Sequence, residues 1–167
     1  MKSIDLTQGK VTWVDDSDYE ELSKYNWHFA KGYAKGYARR YAKLDDVWAR
    51  QNAKKNKKYV WIPMHRQIMQ TPEGLITDHI NLNTLDNRKS NLRVATSSQN
   101  QHNRGKQKNN SSGFKGVTFD KERNKWIAQI WFKNKYIKLG RFDNIEDAVS
   151  ARRLTGERLH GEFARME

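Results

Sequence analysis

The sequence predicts an α+β chain assembled from small modules, each with a modest core of its own. Three observations point there. Residues 125–132 alternate Trp126, Ala128 and Ile130 with Ile127, Gln129 and Trp131, the period of a strand with two unlike faces. Ile145, Ala148, Ala151, Thr155 and Leu159 recur every three or four residues, the period of one helix face. Apolar residues make up 36% of the 167, too few for one large core, yet 6 Trp, 7 Tyr and 6 Phe can seed several small ones.

Taken in order, Lys10–Val14 reads as a strand, and Asp16–Lys24 as a short helix opened by an acidic cap. Tyr33–Tyr41 alternates aromatic residues or Ala with Gly or a base, which suits a twisted strand with one wet face. Tyr59–Ile62 is a further strand closed by Pro63, and His65–Gln70 is a helical turn before the Thr71-Pro72-Glu73-Gly74 turn. Residues 75–103 predict strand, loop, strand and helix, with Thr96 or Ser97 capping a helix over Ala95–Asn103. Arg104–Ser112 has no apolar residue and is the best linker candidate. After it come three strands, Phe114–Phe119, Lys125–Phe132 and Lys135–Leu139, with Asn134 at a turn and Gly140 at a boundary. Asp143 with Glu146 resembles a capping box opening a helix to about His160, which Gly161 stops. The predicted division is 1–103, a linker 104–112, and 113–167.

Composition narrows the function. The net charge is +13, so a polyanion is the expected partner. The excess falls in blocks: residues 31–68 carry eleven bases against Asp45 and Asp46, and residues 88–108 carry six bases and no acid. One such run is most simply a solvated face, but several in succession suggest a footprint along a nucleic acid. No apolar run is long enough to cross a bilayer, and the first residues lack the apolar stretch of a secretory signal. With no Cys there is neither a disulfide nor a thiolate metal site, which fits a reducing cytoplasm.

The chemistry concentrates in Leu75–Asn103. Phosphodiester hydrolysis asks for a hard divalent cation on oxygen ligands and for a base whose pKa lies near working pH. Asp78 and His79 offer a carboxylate and an imidazole side by side. On an extended strand their side chains would diverge, so they can share a site only where the strand kinks or ends. Asn100 follows 22 residues after Asp78, on the predicted helix. A lone Asp-His pair is most often no more than part of a turn.

The whole string, DHI-N-x-N, LDNR, SNLR and T-x-x-x-N-x-x-N, resembles the HNH endonucleases, in particular the homing enzymes of phages and introns. The upstream Met64-His65-Arg66 fits the same branch. The resemblance implies a ββα-metal module after a strand-rich N-terminal extension. It implies that His79 is the general base, that Asn91 braces the loop, and that Asp78 and Asn100 ligate one divalent metal, Mg²⁺ or alternatively Mn²⁺. Without Cys the chain resembles the branch that has no structural zinc. The implied reaction is hydrolysis of double-stranded DNA to 5′-phosphate and 3′-hydroxyl ends; one His79-centred site per chain would cut one strand per binding event, and a dimer could cut both.

Residues 111–164 resemble the Apetala2/ERF DNA-binding domain through SG-F-KGV, KW-A-I, LG-F, EDA and HGEFA in that order. That family lays a three-stranded sheet in the major groove. By alternation Ala128, Ile130, Ile137 and Leu139 face the helix, and Lys115, Gln129, Trp131, Lys138 and Arg141 face DNA. Where plant members carry further Arg on the first strand, this chain has Thr118 and Asp120, so their base preference does not transfer. Arg39, Arg40, His65, Arg66, Arg88, Arg93, Arg104, Lys106 and Lys108 complete the expected DNA contacts, with His65 alternatively structural and His102 a minor phosphate candidate. His28 and His160 read as structural. The expected protein is a monomer, with a dimer the alternative, acting on double-stranded DNA in the cytoplasm of a phage-infected or bacterial host. The competing reading is a catalytically inert DNA-binding regulator derived from such a nuclease. RNA binding is weaker, for lack of RNP-like aromatic signatures.

Overall fold

The computed structural model describes the backbone of residues 1–31, 36–43, 45–52 and 58–165, with the side chains of all these except 48, 51 and 52. The chain divides into two compact units, Met1–Ser97 and Ser98–Glu167.

In the first unit, β1 (Lys2–Leu6) and β2 (Lys10–Val14) form an antiparallel hairpin. Its alternation buries Ile4, Leu6, Thr12 and Val14 and leaves Val11 and Trp13 exposed. The short helix α1 (Asp16–Leu22) follows, with Asp16 and Asp18 in its first turn, where a helix favours negative charge. Next come β3 (Trp27–Lys31), β4 (Gly36–Lys43), α2 (Val47–Asn52), β5 (Tyr59–Pro63) and α3 (Met64–Ile68). The three strands make an antiparallel sheet in the order β3-β4-β5. Leu22, Trp27, Ala38 and Met64 join the hairpin's apolar residues in one core, and Ala42, Ala49 and Ile62 form a second. The predicted Tyr33–Tyr41 strand is displaced to Gly36–Lys43, and its first three residues lie outside the described ones.

β6 (Ile76–His79) pairs antiparallel with β7 (Leu92–Ala95), Asp78 opposite Arg93 and His79 opposite Leu92. β6 ends at His79, as two adjacent side chains sharing a site require. α4 (Ser97–Asn103) comes next in the chain, almost wholly within the second unit.

In the second unit β8 (Val117–Asp120), β9 (Lys125–Phe132) and β10 (Lys135–Phe142) form a sheet in the order β10-β9-β8, crossed by α5 (Ile145–His160). Val117, Ala128 and Ala148 are fully buried between sheet and helix, with Trp126, Leu139 and Phe142 packed around them. A register shift between Lys138 and Gly140 lets β10 run past Gly140, where the sequence suggested that it stops. β8 begins at Val117 rather than Phe114, because Gly113 and Gly116 take positive φ ahead of it. The helix cap also differs from expectation: Asn144 Oδ1 accepts from the Asp147 backbone N–H at 2.9 Å, so the cap is one residue later than Asp143. The predicted linker residues fall inside this unit, and Lys106 Nζ donates to the Gly113 carbonyl at 2.9 Å.

Candidate active site and nucleic-acid surfaces

The loop between β6 and β7 is built almost entirely from short polar side chains that satisfy its backbone. Asn91 accepts from Asn81 N–H through Oδ1 at 2.9 Å and donates through Nδ2 to the Asp86 carbonyl at 2.8 Å. Asp86, buried, takes Asn81 Nδ2 at 3.0 Å and a two-pronged contact from Arg88, both prongs at 2.7 Å. Hydrogen bonding to Arg88 holds the Asp86 carboxyl below its usual pKa. Such a network leaves the loop little freedom and fixes what it presents to His79.

His79 is buried, 7% exposed, and burial lowers its pKa, partly offset by Asn87 and by the charges of Asp78 and Asp86. Its Nε2 lies 3.2 Å from Asn87 Oδ1. The direction of that bond follows from its neighbours. Thr12 Oγ1 donates to the Leu85 carbonyl at 2.8 Å, which leaves it to accept from Asn87 Nδ2 at 2.7 Å. Asn87 therefore turns its carbonyl to His79, and a carbonyl can only accept. The neutral imidazole carries its proton on Nε2 and its lone pair on Nδ1. The His65 ring stands edge-on to that of His79 at 5.0 Å. Burial, then the nearby His79 and Arg66, pushes His65 down to about 3, so both rings are neutral at ordinary pH.

Asp78, 4% exposed, accepts a hydrogen bond from Arg93 Nε at 3.0 Å and is ion-paired with the same guanidinium, whose Nη2 lies 2.9 Å from that carboxylate oxygen. Asn100 sits on α4 in the second unit and is half-buried. Asp78 offers a carboxylate and Asn100, by itself, an amide carbonyl, each a hard oxygen donor of the kind that Mg²⁺ or Mn²⁺ takes. Among the described residues, no group of three or more His, Cys, Asp or Glu is placed to hold a metal.

The expected DNA contacts separate sharply. Arg40 is 3% exposed; it donates to Gln67 Oε1 and Asp46 Oδ2, each at 2.8 Å, and lies over the Tyr25 ring. Alternation along β4 puts it on the face of Ala38 and Ala42, so it is a core residue and no phosphate contact. Arg66 closes the 71–75 turn, donating to the carbonyls of Leu75 at 2.7 Å and Thr71 at 3.1 Å. Arg93 is buried against Asp78. Lys115 is also corrected: its Nζ donates to the carbonyls of His102 and Arg104, and burial lowers it to about 8, so it faces the protein. Arg39 and Arg88 retain exposed surface, and Arg104, Lys106 and Lys108 are exposed.

On the second unit's sheet, the cross-strand pairs Gln129–Lys138, Trp131–Tyr136 and Ile127–Arg141 share the face opposite Ala128. Trp131 and Tyr136 meet edge to face at 4.7 Å and remain 43% and 66% exposed. This is an aromatic and basic face of one sheet, the composition that suits a groove of DNA.

Two residues of the site carried no role in the sequence reading. Asn87 stands inside the LDNR string and could have been questioned there. Thr12 had no signal: it lies 75 residues from Asn87 in an ordinary strand.

The family model described as HNH endonuclease matches residues 70–102. Protein 3.8 of Escherichia phage T7 is 36% identical over 94 residues, covering 56% of this chain and 77% of that protein. An uncharacterized HNH endonuclease, L560, of Acanthamoeba polyphaga mimivirus is 31% identical over 158 residues, covering 94% of this chain and 74% of that protein.

Proposed function

Because the chain belongs to the HNH endonuclease family, we propose that it is a metal-dependent DNA endonuclease in which His79 is the general base. The observation that carries the reading is the directed chain Thr12, Asn87, His79. A general base must be neutral and must keep a lone pair where the water arrives. Burial does the first, and the Asn87 carbonyl does the second by holding the proton on Nε2. Nδ1 then takes the proton of a water aligned with the scissile bond.

Asp78 and Asn100 would hold the cation, and Asn91 keeps the loop between β6 and β7 closed. When bound, a hard divalent cation supplies positive charge to the phosphate and to the departing 3′-oxygen. Cleavage leaves 5′-phosphate and 3′-hydroxyl ends, and one His79 per chain favours nicking of one strand by a monomer. The sheet β8–β10 acts as an Apetala2/ERF-like DNA reader, with Gln129, Trp131, Lys138 and Arg141 toward the duplex. Among described helices none is long and apolar enough to cross a membrane, and the phage relative supports action in the cytoplasm of an infected cell.

One observation favours a second reading, an inert DNA-binding regulator: Arg93 already engages the Asp78 carboxylate. A supercoiled-plasmid assay decides between them. Wild type should nick with Mg²⁺ and stop in EDTA, and His79→Ala should bind without nicking. A wild-type chain that binds but never nicks supports the regulator, and equal nicking by both chains removes His79 from the mechanism.

A further inference from the structure

The strands β3, β4 and β5 contain no acidic residue, yet carry His28, Lys31, Arg39, Arg40 and Lys43. Alternation sorts them. Ala38, Arg40, Ala42 and Ile62 turn inward, at 6% exposure or less. Arg39, Tyr41 and Lys43 turn outward, opposite Pro63, Trp61 and Tyr59 on β5. The outcome is an aromatic cluster on the open face of a sheet. Tyr41 and Tyr59 stack at 4.9 Å with their planes 14° apart, and Trp61 leans on Tyr41 at 5.0 Å. All three keep 40–51% of their surface exposed. Large rings left in water on one face mark an interaction surface.

Arg39 tells what kind. Its guanidinium lies 4.0 Å from the Trp61 ring centroid, and it makes no ion pair among the described residues. A ring, and not a carboxylate, holds this cation in place, which leaves its charge to an incoming anion. Flat rings beside uncompensated cations are how proteins hold single-stranded nucleic acid, with bases on the rings and phosphates on the cations. A duplex interior offers no base faces to such a surface. The face also leads towards the candidate catalytic base. Tyr37, outward on the same strand, meets the His65 ring at 5.9 Å, and His65 meets His79 at 5.0 Å. From Tyr37 to Tyr41 is about 13 Å of strand, roughly four steps of stacked bases.

We propose that the outer face of β3–β5 is a stacking platform for unpaired bases of the DNA substrate. The proposal rests on the reading that this chain acts on DNA. It gives the N-terminal extension a task beyond backbone contact: holding the substrate locally opened as it enters the site.

The test compares labelled oligonucleotides by fluorescence anisotropy, with the full wild-type chain in EDTA. A 12-mer of dT should bind about tenfold more tightly than an abasic 12-mer of equal charge. Tyr41→Ser combined with Trp61→Leu should erase that preference and leave affinity for a 40-bp duplex within about twofold. Trp131→Leu, on the other sheet, should keep the preference. Equal binding of dT and abasic strands by wild type overturns the platform with no variant needed, as does a preference that survives the double substitution or disappears in Trp131→Leu. A wild-type chain that binds neither single strand nor duplex would instead sink the DNA reading itself.

Discussion

Asn87 Oδ1 and His79 Nε2 lie 3.2 Å apart in the interior of the first unit, and the hydroxyl of Thr12 decides which way the Asn87 amide points. A base whose tautomer is set by a neighbour depends on that neighbour for turnover more than for binding.

Asn87→Ala should lower the nicking rate at saturating DNA about 10–100-fold with little change in KM. Thr12→Val leaves the Asn87 amide N–H without its acceptor in a buried site. It should cost about 1–3 kcal/mol of stability and slow nicking less than Asn87→Ala does. Denaturant melts run beside the plasmid assay separate the two effects. Full activity in Asn87→Ala would mean that the tautomer is set elsewhere.

Arg39 and Arg40 are adjacent and should behave oppositely. Arg40→Ala removes the guanidinium that donates to Gln67 Oε1 and Asp46 Oδ2 in a buried site and should destabilise the chain by about 3 kcal/mol, read as a lower urea midpoint. Arg39→Gln should change stability by no more than about 0.5 kcal/mol. Its effect appears instead in the salt dependence of DNA binding, whose slope should fall by about one.

Gly116 has φ +78°, and a Cβ there would sit 2.4 Å from the Gln129 carbonyl oxygen and 2.8 Å from Arg152 Nε. Both the backbone conformation and the space exclude a side chain. Gly116→Ala should lower the thermal midpoint of the second unit by an amount matching about 2 kcal/mol, measurable by calorimetry.

His160 stacks on His102 at 3.6 Å, and burial, then His102, Arg152 and Lys115, push its pKa down to about 4. In the unfolded chain it would titrate near 6.5, so between those values the unfolded state holds a proton that the folded state refuses. The stability is complete above about 6.5 and declines as the pH falls towards 4. Urea midpoints at pH 7.5 and 4.5 should differ less in His160→Gln than in wild type.

What the sequence could reveal depended on the range of each interaction. β9 and α5 announce themselves by period, and β9 runs over the predicted residues because its pattern is local. The charge blocks were visible too, but composition treats Arg39 and Arg40 alike; only register, with Ala38 and Ala42 on the face of Arg40, separates surface from core. β1 leaves little trace in the sequence because Ile4 and Leu6 are its only apolar residues, and β3 because its buried Trp27 and Ala30 do not follow a period of two. Asp78, His79, Asn91 and Asn100 could be named through a resemblance in spacing. Asn87's direction could not, since it is fixed by a hydroxyl 75 residues away.

That distance has a consequence for how the molecule comes into being. Trp13 N–H donates to the Leu85 carbonyl and Asn87 N–H to the Trp13 carbonyl, each at 2.8 Å, and Asp15 accepts from Lys89 N–H at 2.8 Å. These contacts close a loop of more than seventy residues around His79, so its surroundings take shape only when both ends of that loop are present. The segment 70–102 is therefore no transplantable cassette. Grafted onto another scaffold without the first eighteen residues, it would carry the signature letters and lack the brace that tells His79 where to keep its proton.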